Sequence, residues 1–197
     1  PKPCVIIPYG PPGCGKSGAT NAALKKQGID AEECVEPNID DLVRSYMRDV
    51  TQNEHMFGDQ ATYHAVRSNW PTKATVRMME IALETKRHVI VETTGRSTWL
   101  APNVLAPAAS NGFTTIIVYV MVPFSKIIPR AIARKRRSGQ GHPPFAELSQ
   151  TSVLAARNLD TFTRAAGRRA IVLFANNAGP YGTMKLLKQG DPDLDSM

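Results

Sequence analysis

The residues after the first apolar segment have the types and order needed to hold a polyphosphate. Gly10 to Ser17 matches the pattern G-x-x-x-x-G-K-S. Glycines in such a segment let backbone N–H groups curl around phosphate oxygens, and the helix that follows adds partial positive charge. Lys16 would neutralise the β- and γ-phosphates, and Ser17 would offer its hydroxyl to Mg2+. The predicted nucleotide-binding residues are Gly10, Pro11, Pro12, Gly13, Cys14, Gly15, Lys16, Ser17 and Gly18, and the ligand is ATP or GTP with Mg2+.

A dinucleotide fingerprint competes with this interpretation. Gly13 to Gly18 also fits G-x-G-x-x-G, and Asp40 and Asp41 lie roughly where the ribose-binding acid of that motif is found. However, the dinucleotide motif starts directly at a strand end, whereas two prolines separate Gly13 from the strand. A Lys-Ser pair has a specific role in a phosphate loop and none in the dinucleotide motif. The pattern therefore favours the phosphate loop.

Two acidic residues follow the second predicted strand. Asp40 and Asp41 stand at the start of a helical pattern. A carboxylate at this place would face the γ-phosphate and could take the proton from an acceptor hydroxyl. Asp is also a preferred helix N-cap, so the alternative is a structural role. Both interpretations hold if one aspartate caps the helix and the other acts as base.

Polar residues also follow the third predicted strand. Glu92, Thr94 and Arg96 combine an acid, a hydroxyl and a guanidinium beside the phosphate loop. This set suits a polar substrate, and the alternative is an ordinary turn before a helix. No Asp closes this strand, which disfavours a helicase or motor-type ATPase.

Three arginines share one face of a later helix. Arg130, Arg134 and Arg137 are spaced i, i+4, i+7 and precede a Gly/Pro-containing loop. Arginines placed in this way could close over the transferring phosphate and stabilise its charge, as a lid does. A solvated basic face is the alternative. We predict no structural metal, because His142 has no partner at ligand spacing.

The elements that must position these residues alternate between apolar strands and helices. That alternation predicts a parallel sheet with helices on both faces, and ligands then bind beyond the carboxyl ends of the strands. We predict one domain over residues 1–188 and a disordered tail over 189–197. The predicted strands lie near 5–7 (ended by Pro8), 34–35, 88–92, 114–122 and 170–174, and the predicted helices near 16–26, 41–50, 59–87 (broken at Trp70-Pro71), 100–110, 124–137 and 146–166.

The composition is that of a basic protein without a membrane-spanning segment. The 197 residues carry a formal net charge of +7, which suggests anionic partners or a solvated basic face. No apolar run has the length of a membrane span, and no signal peptide is visible at the start. Three cysteines without CxxC spacing fit a reducing compartment, so we expect a cytoplasmic protein that is not bound to a membrane.

Taken together, the motifs resemble the zeta-toxin family of P-loop kinases. The resemblance spans about residues 5–180 and implies a three-layer α/β/α P-loop NTPase fold with a mostly parallel five-stranded sheet and a basic lid helix and loop. The chain departs from the family in its length and at Pro129. The segments that carry the resemblance are Gly10–Ser17, Ile39–Arg44, Val89–Arg96, Gly141–Pro144, Arg157–Leu159 and Asn176-Asn177, the last replacing the family's Asp-Asn.

The resemblance also implies roles for individual residues. The family's catalytic base is an Asp followed three residues later by Arg, which corresponds to Asp41 and Arg44, with Asp40 in reserve. The family's acceptor-binding Glu and Thr correspond to Glu92 and Thr94. The remaining expectations complete the set: Lys16, Arg134 and Arg137 act in catalysis, and Arg44, Arg96 and Arg130 bind substrate.

Three functions remain open at this point. The first is a kinase that transfers the γ-phosphate of ATP or GTP to a hydroxyl of a small molecule, such as a nucleotide sugar. The second is a polynucleotide 5′-hydroxyl kinase, which the basic charge favours and the low aromatic content of 7% disfavours. The third is a non-catalytic nucleotide-binding module of a larger assembly.

Overall fold

The structure is a computed structural model that describes residues 2–50, 52, 59–138, 145–179, 184–189 and 191. For Gln60 and residues 134–138 it describes the backbone only. The predicted lid loop and most of the predicted tail therefore lie outside the described residues.

The described residues form one six-stranded sheet in the order β2-β3-β1-β4-β5-β6. The first five strands are parallel, and β6 runs antiparallel to β5. The parallel sheet is as predicted, but the count of five was wrong, because Lys185-Leu186-Leu187-Lys188 is too short and polar to be recognised as a strand. The strands are β1 (Cys4–Tyr9), β2 (Cys34–Val35), β3 (His88–Ile90), β4 (Thr114–Met121), β5 (Ala170–Asn176) and β6 (Lys185–Lys188).

Helices cover the sheet. The predicted break before Pro71 is confirmed, since α3 ends at Arg67 and Pro71 stands in the first turn of α4, where its missing N–H costs nothing. Among the described residues, no helix has the length and apolarity to cross a bilayer. The helices are α1 (Lys16–Gln27), α2 (Ile39–Asp49), α3 (Gln60–Arg67), α4 (Trp70–Glu84), α5 (Ala106–Ser110, preceded by a π-helical turn at Ala101–Leu105), α6 (Phe124–Ser138) and α7 (Phe145–Ala166).

The two faces of the sheet form separate hydrophobic clusters. Alternate residues of β1 enter opposite clusters: Ile7 joins the one that contains Phe162 of α7, and Ile6 joins the one that contains Leu24 of α1. All six residues of β1 are buried, as expected for a central parallel strand covered on both sides. The predicted three-layer α/β/α architecture is confirmed.

Pro8 does not end β1, contrary to the prediction. The strand continues through Pro8 to Tyr9, and β4 pairs with it along its whole length. The effect of Pro8 falls on the other neighbour, because a proline has no N–H to donate to β3. Regular pairing with β3 stops at Ile90, because a bond donated by residue 8 is missing. The bonds on either side of it remain, from the Val91 N–H to the Ile6 carbonyl at 2.9 Å and from the Thr93 N–H to the Pro8 carbonyl at 3.2 Å. Pro8 therefore removes one hydrogen bond to the β3 side and does not end β1.

Candidate functional site

The phosphate loop lies between β1 and α1, as its motif requires. Gly13 and Gly15 adopt positive φ angles of 82° and 99°, a region that residues with a side chain rarely occupy. The Cys14 N–H donates to the Pro11 carbonyl at 3.2 Å, which closes a turn inside the loop. The glycines of the motif thus permit the curl of backbone that phosphate binding needs.

The start of α1 suits a magnesium-bound triphosphate. Gly15 is its N-cap, and neither a capping side chain nor an acidic residue in the first turn satisfies the helix N–H groups in the described structure. Such an uncapped terminus attracts anions. The Lys16 ammonium reaches the Gly10 carbonyl at 3.3 Å, so it spans the loop, and Ser17 is exposed in the first turn. These residues fit the predicted nucleotide and the predicted Mg2+ contact at Ser17.

Cys14 has a structural place in the loop. Its side chain is fully buried. Burial raises the pKa of the Cys14 thiol; the Lys16 ammonium lowers it to a smaller extent, and the Glu92 carboxylate raises it. The thiol therefore stays protonated near neutral pH and is a poor nucleophile. The Gly10 N–H donates to the Thr93 carbonyl at 3.3 Å, so the polar turn after β3 lies beside the phosphate loop.

The start of α2 separates the roles of the two aspartates. Asn38, not an aspartate, is the N-cap: its Oδ1 accepts from the Asp40 N–H at 3.0 Å. The alternative that one aspartate caps the helix was therefore wrong. Asp40 accepts a hydrogen bond from the Tyr63 hydroxyl of α3, whereas the side chain of Asp41 is exposed. This arrangement favours Asp41 over Asp40 as the group available to an acceptor.

A third carboxylate, which the sequence analysis did not single out, joins this region. Glu36 follows β2, just as Glu92 follows β3. Partial desolvation, and then repulsion from Glu92 and Asp41, raise the pKa of the Glu36 carboxyl. Its position directly after a strand was the available signal. The acceptor side of the site is therefore crowded with negative charge.

We expect Glu36→Gln to stabilise the protein at neutral pH. The folded-state pKa of Glu36 is raised, so at pH values between its unfolded-state and folded-state pKa the folded chain holds more of this proton than the unfolded chain does. Stability therefore falls as pH rises through this window, and the neutral glutamine removes that loss. The measurement is the thermal midpoint of both proteins: a higher midpoint for Glu36→Gln at pH 7, with the difference vanishing below about pH 4. A constant difference at both pH values would contradict the assignment.

The turn after β3 is held from two directions. The Thr94 hydroxyl accepts from the Arg96 N–H at 3.4 Å. The amide of Asn158, on α7, donates to the carbonyls of Gly95 at 2.8 Å and Arg96 at 3.2 Å. The Arg96 guanidinium forms an ion pair with Glu147 in the first turn of α7. Of the three polar residues predicted here, Glu92 is exposed and Arg96 is committed to a protein partner.

The basic helix brings one arginine to the phosphate loop. The Arg130 Nη2 donates to the Asn177 carbonyl at 3.1 Å, and its Nη1 is buried without a hydrogen-bond partner among the described residues. A Cβ added at Gly13 would lie 3.6 Å from the Arg130 Cβ, so α6 packs directly on the loop. Arg44 is half-buried on α2, and the side chains of Arg134 and Arg137 lie outside the described part of the chain.

Solved structures share this architecture. A chain of the PezAT chromosomal toxin–antitoxin system of Streptococcus pneumoniae superposes with a TM-score of 0.68 and 13% identity, over 89% of this chain and 69% of that one. The AvrRxo1-ORF1:AvrRxo1-ORF2 complex with sulphate ions gives 0.69 and 16%, over 99% and 63%. The same complex with ATP gives 0.67 and 18%, over 94% and 57%. The chain thus spans less than two thirds of the AvrRxo1 chains.

At these identities the likeness shows the fold. It confirms the P-loop NTPase fold and, at that level, the resemblance to zeta-toxin-like P-loop kinases. No curated protein matches the chain by sequence. The sequence model of the AAA domain family matches residues 5–157, which include the phosphate loop, the acidic start of α2 and the turn after β3. With most of its length matched, the chain belongs to the AAA domain family.

Proposed function

We propose that the chain is a kinase that transfers the γ-phosphate of ATP or GTP to a hydroxyl of a small molecule. The observation that carries this proposal is the juxtaposition of two unlike half-sites at one edge of the sheet. An uncapped helix terminus with Lys16 forms the first, and the exposed carboxylates Asp41 and Glu92 form the second. The Gly10 N–H donates to the Thr93 carbonyl at 3.3 Å, which joins the phosphate loop to the turn that carries Glu92.

The nucleotide half-site supplies charge neutralisation. Backbone N–H groups of the loop and the Lys16 ammonium would hold the β- and γ-phosphates. The Ser17 hydroxyl would hold Mg2+, which, when bound, neutralises charge on the phosphate oxygens. Arg130, whose Nη1 has no hydrogen-bond partner among the described residues, can donate to the transferring phosphate.

The acceptor half-site supplies the base. In the proposed step, Asp41 takes the proton of the acceptor hydroxyl, and the oxygen of that hydroxyl forms a bond to the γ-phosphorus. The bond between that phosphorus and the bridging oxygen breaks, and the nucleoside diphosphate leaves with the electron pair. Glu92 and Thr94 would orient the acceptor through hydrogen bonds, which is the positioning that phosphoryl transfer depends on.

The charge of the acceptor half-site favours a small molecule over a polynucleotide. Glu36, Asp41 and Glu92 are close enough for their charges to interact, and the nearby cation of Arg96 is neutralised by Glu147. The phosphates that flank each sugar of a polynucleotide would meet this negative charge, whereas an uncharged hydroxyl-rich group, such as the sugar of a nucleotide sugar, would find hydrogen-bond acceptors. The formal charge of +7 belongs to the whole chain and not to this site.

The test is a phosphoryl-transfer assay with γ-labelled ATP or GTP and Mg2+. Three reactions run in parallel, with a panel of nucleotide sugars and other polyhydroxylated metabolites, with a 5′-hydroxyl oligonucleotide, and with no acceptor. Label transferred to a small molecule supports the proposal. Label on the oligonucleotide alone would favour the polynucleotide kinase, and nucleotide binding without transfer to any acceptor would favour the non-catalytic module.

A further inference from the structure

A residue that follows β5, Asn177, contacts the backbone of the phosphate loop. The Asn177 Nδ2 donates to the Cys14 carbonyl at 2.7 Å, across 163 positions of sequence. Asn177 is itself fixed: its N–H donates to the Met121 carbonyl at 3.1 Å, and its carbonyl accepts from Arg130 at 3.1 Å. The neighbouring Asn176 Oδ1 accepts from the Ala178 N–H at 2.9 Å, which holds the turn. A turn held by these hydrogen bonds thus presents the Asn177 amide to the Cys14 carbonyl of the loop.

The orientation of the Cys14 carbonyl fixes the direction of the Gly15 N–H, because both belong to one peptide plane. In a trans peptide the C=O and the N–H point in opposite directions. Because Asn177 draws the Cys14 carbonyl to its own side, the Gly15 N–H must point away from it, toward the opposite face of the loop. The Gly15 N–H, beside the start of α1, is one of the groups expected to meet phosphate.

On its Gly15 side, the same peptide has little intrinsic preference for one orientation. Rotating a peptide plane changes ψ of the residue before it and φ of the residue after it, and the residue after it is Gly15, with φ at 99°. Glycine occupies negative and positive φ with similar ease, so Gly15 itself places little barrier to reversal. The hydrogen bond from Asn177 favours the orientation in which the Cys14 carbonyl faces Asn177.

The fit between Asn177 and Gly15 is close. A Cβ added at Gly15 would lie 2.3 Å from the Asn177 Nδ2. The amide therefore packs directly on the glycine, and no larger residue at 15 would leave room for it. Asn177 also links the loop to α6, because Arg130 holds the carbonyl of the same residue.

We propose that Asn177 is a positioning residue of the nucleotide site, which locks the Cys14–Gly15 peptide with the Gly15 N–H directed at the bound phosphates. This inference rests on the proposed function, since it assumes that the loop binds a nucleoside triphosphate. Asn177 itself need not touch the nucleotide. Its effect is transmitted through one peptide plane.

The test measures the affinity of three proteins for a fluorescent ATP analogue with Mg2+. Asn177→Leu keeps the size of the side chain and removes the donor, and we expect about threefold to tenfold weaker binding, the worth of one hydrogen bond. Asn177→Asp replaces the donor with a charged acceptor that favours the reversed peptide, because it can then accept from the Gly15 N–H. We expect at least about thirtyfold weaker binding for this variant.

Asn103→Leu is the matched control. The Asn103 Nδ2 donates to the Trp99 carbonyl at 2.7 Å, which is the same bond length at a place remote from the loop. We expect nucleotide affinity to be unchanged in this variant. Thermal midpoints without nucleotide separate positioning from folding: the Asn177 variants should lose affinity while melting within the range of the control.

Three results would count against the inference. Unchanged affinity in Asn177→Leu, or an equal loss in Asn103→Leu, would overturn it and leave the proposed function intact. Failure of the wild-type protein to bind the analogue would overturn the proposed function and this inference together. If Asn177→Leu does not fold, Asn177→Asp carries the test, because its side chain has the same shape as asparagine.

Discussion

Lys16→Ala should abolish phosphoryl transfer, with a fall in turnover of at least about a thousandfold, and should weaken triphosphate binding. The Lys16 ammonium reaches across the loop to the Gly10 carbonyl at 3.3 Å, so it lies where the terminal phosphates would enter. Within Gly10–Ser17, Lys16 is the only residue with a charged side chain, so its loss leaves the loop without a cation of its own. The measurement is turnover with labelled ATP, together with affinity for a fluorescent analogue.

Lys25→Ala is the control for the loss of a positive charge. Lys25 lies on the same helix, exposed in its last turn, far from the phosphate end. We expect its turnover and affinity to match the wild type. Retained turnover in Lys16→Ala would refute the assignment of the phosphate loop, and an equal loss in Lys25→Ala would point to overall charge instead.

The phosphate loop could be predicted because it is local. Every residue of the motif lies within Gly10–Ser17, and the strand before it and the helix after it have clear apolar patterns. The parallel sheet followed for the same reason: buried strands such as β4, with its β-branched residues, are recognisable over a few positions. Local patterns thus gave the architecture and one half of the site.

The contacts that complete the site join residues far apart in the sequence. The Asn177 amide donates to the Cys14 carbonyl, 163 positions away in the sequence, and the Asn158 amide donates to the Gly95 carbonyl, 63 positions away. The Tyr63 hydroxyl donates to Asp40, 23 positions away in the sequence, from a helix whose pattern indicates only an amphipathic surface. No local spacing encodes such pairs, because each depends on which strand ends become neighbours in the sheet. The contacts of these asparagines therefore could not be predicted before the strand order was known.

Arg96 shows that residue type alone does not predict the partner of a charged side chain. A guanidinium after β3 was expected to bind substrate, and its residue type alone allowed that interpretation. In the structure its partner is Glu147, 51 positions later. A charged residue near a site is as available to the protein as to a ligand, and only the fold decides between them. A substrate that binds Arg96 would therefore have to compete with Glu147.

The most informative prediction for the chemical step is Asp41→Asn. Asparagine keeps the shape of the side chain but cannot take a proton, so we expect turnover to fall by several decades, since the change removes the base and disturbs the positioning of the acceptor. Affinity for the nucleotide should be unchanged, because Asp41 is exposed on the acceptor side of the site. Turnover and analogue binding, measured on the same preparation, separate the two effects.

Two neighbouring aspartates on the same helix provide the comparison. Asp49→Asn, in the last turn of α2, removes a carboxylate that pairs with the adjacent Arg48 and should leave turnover unchanged. Asp40→Asn keeps an oxygen that can accept from the Tyr63 hydroxyl, so its loss of turnover should be the smaller of the two active-site variants. Normal turnover in Asp41→Asn, with a large loss in Asp40→Asn, would transfer the role of base to Asp40. Normal turnover in both would leave Glu92 as the remaining carboxylate next to the loop.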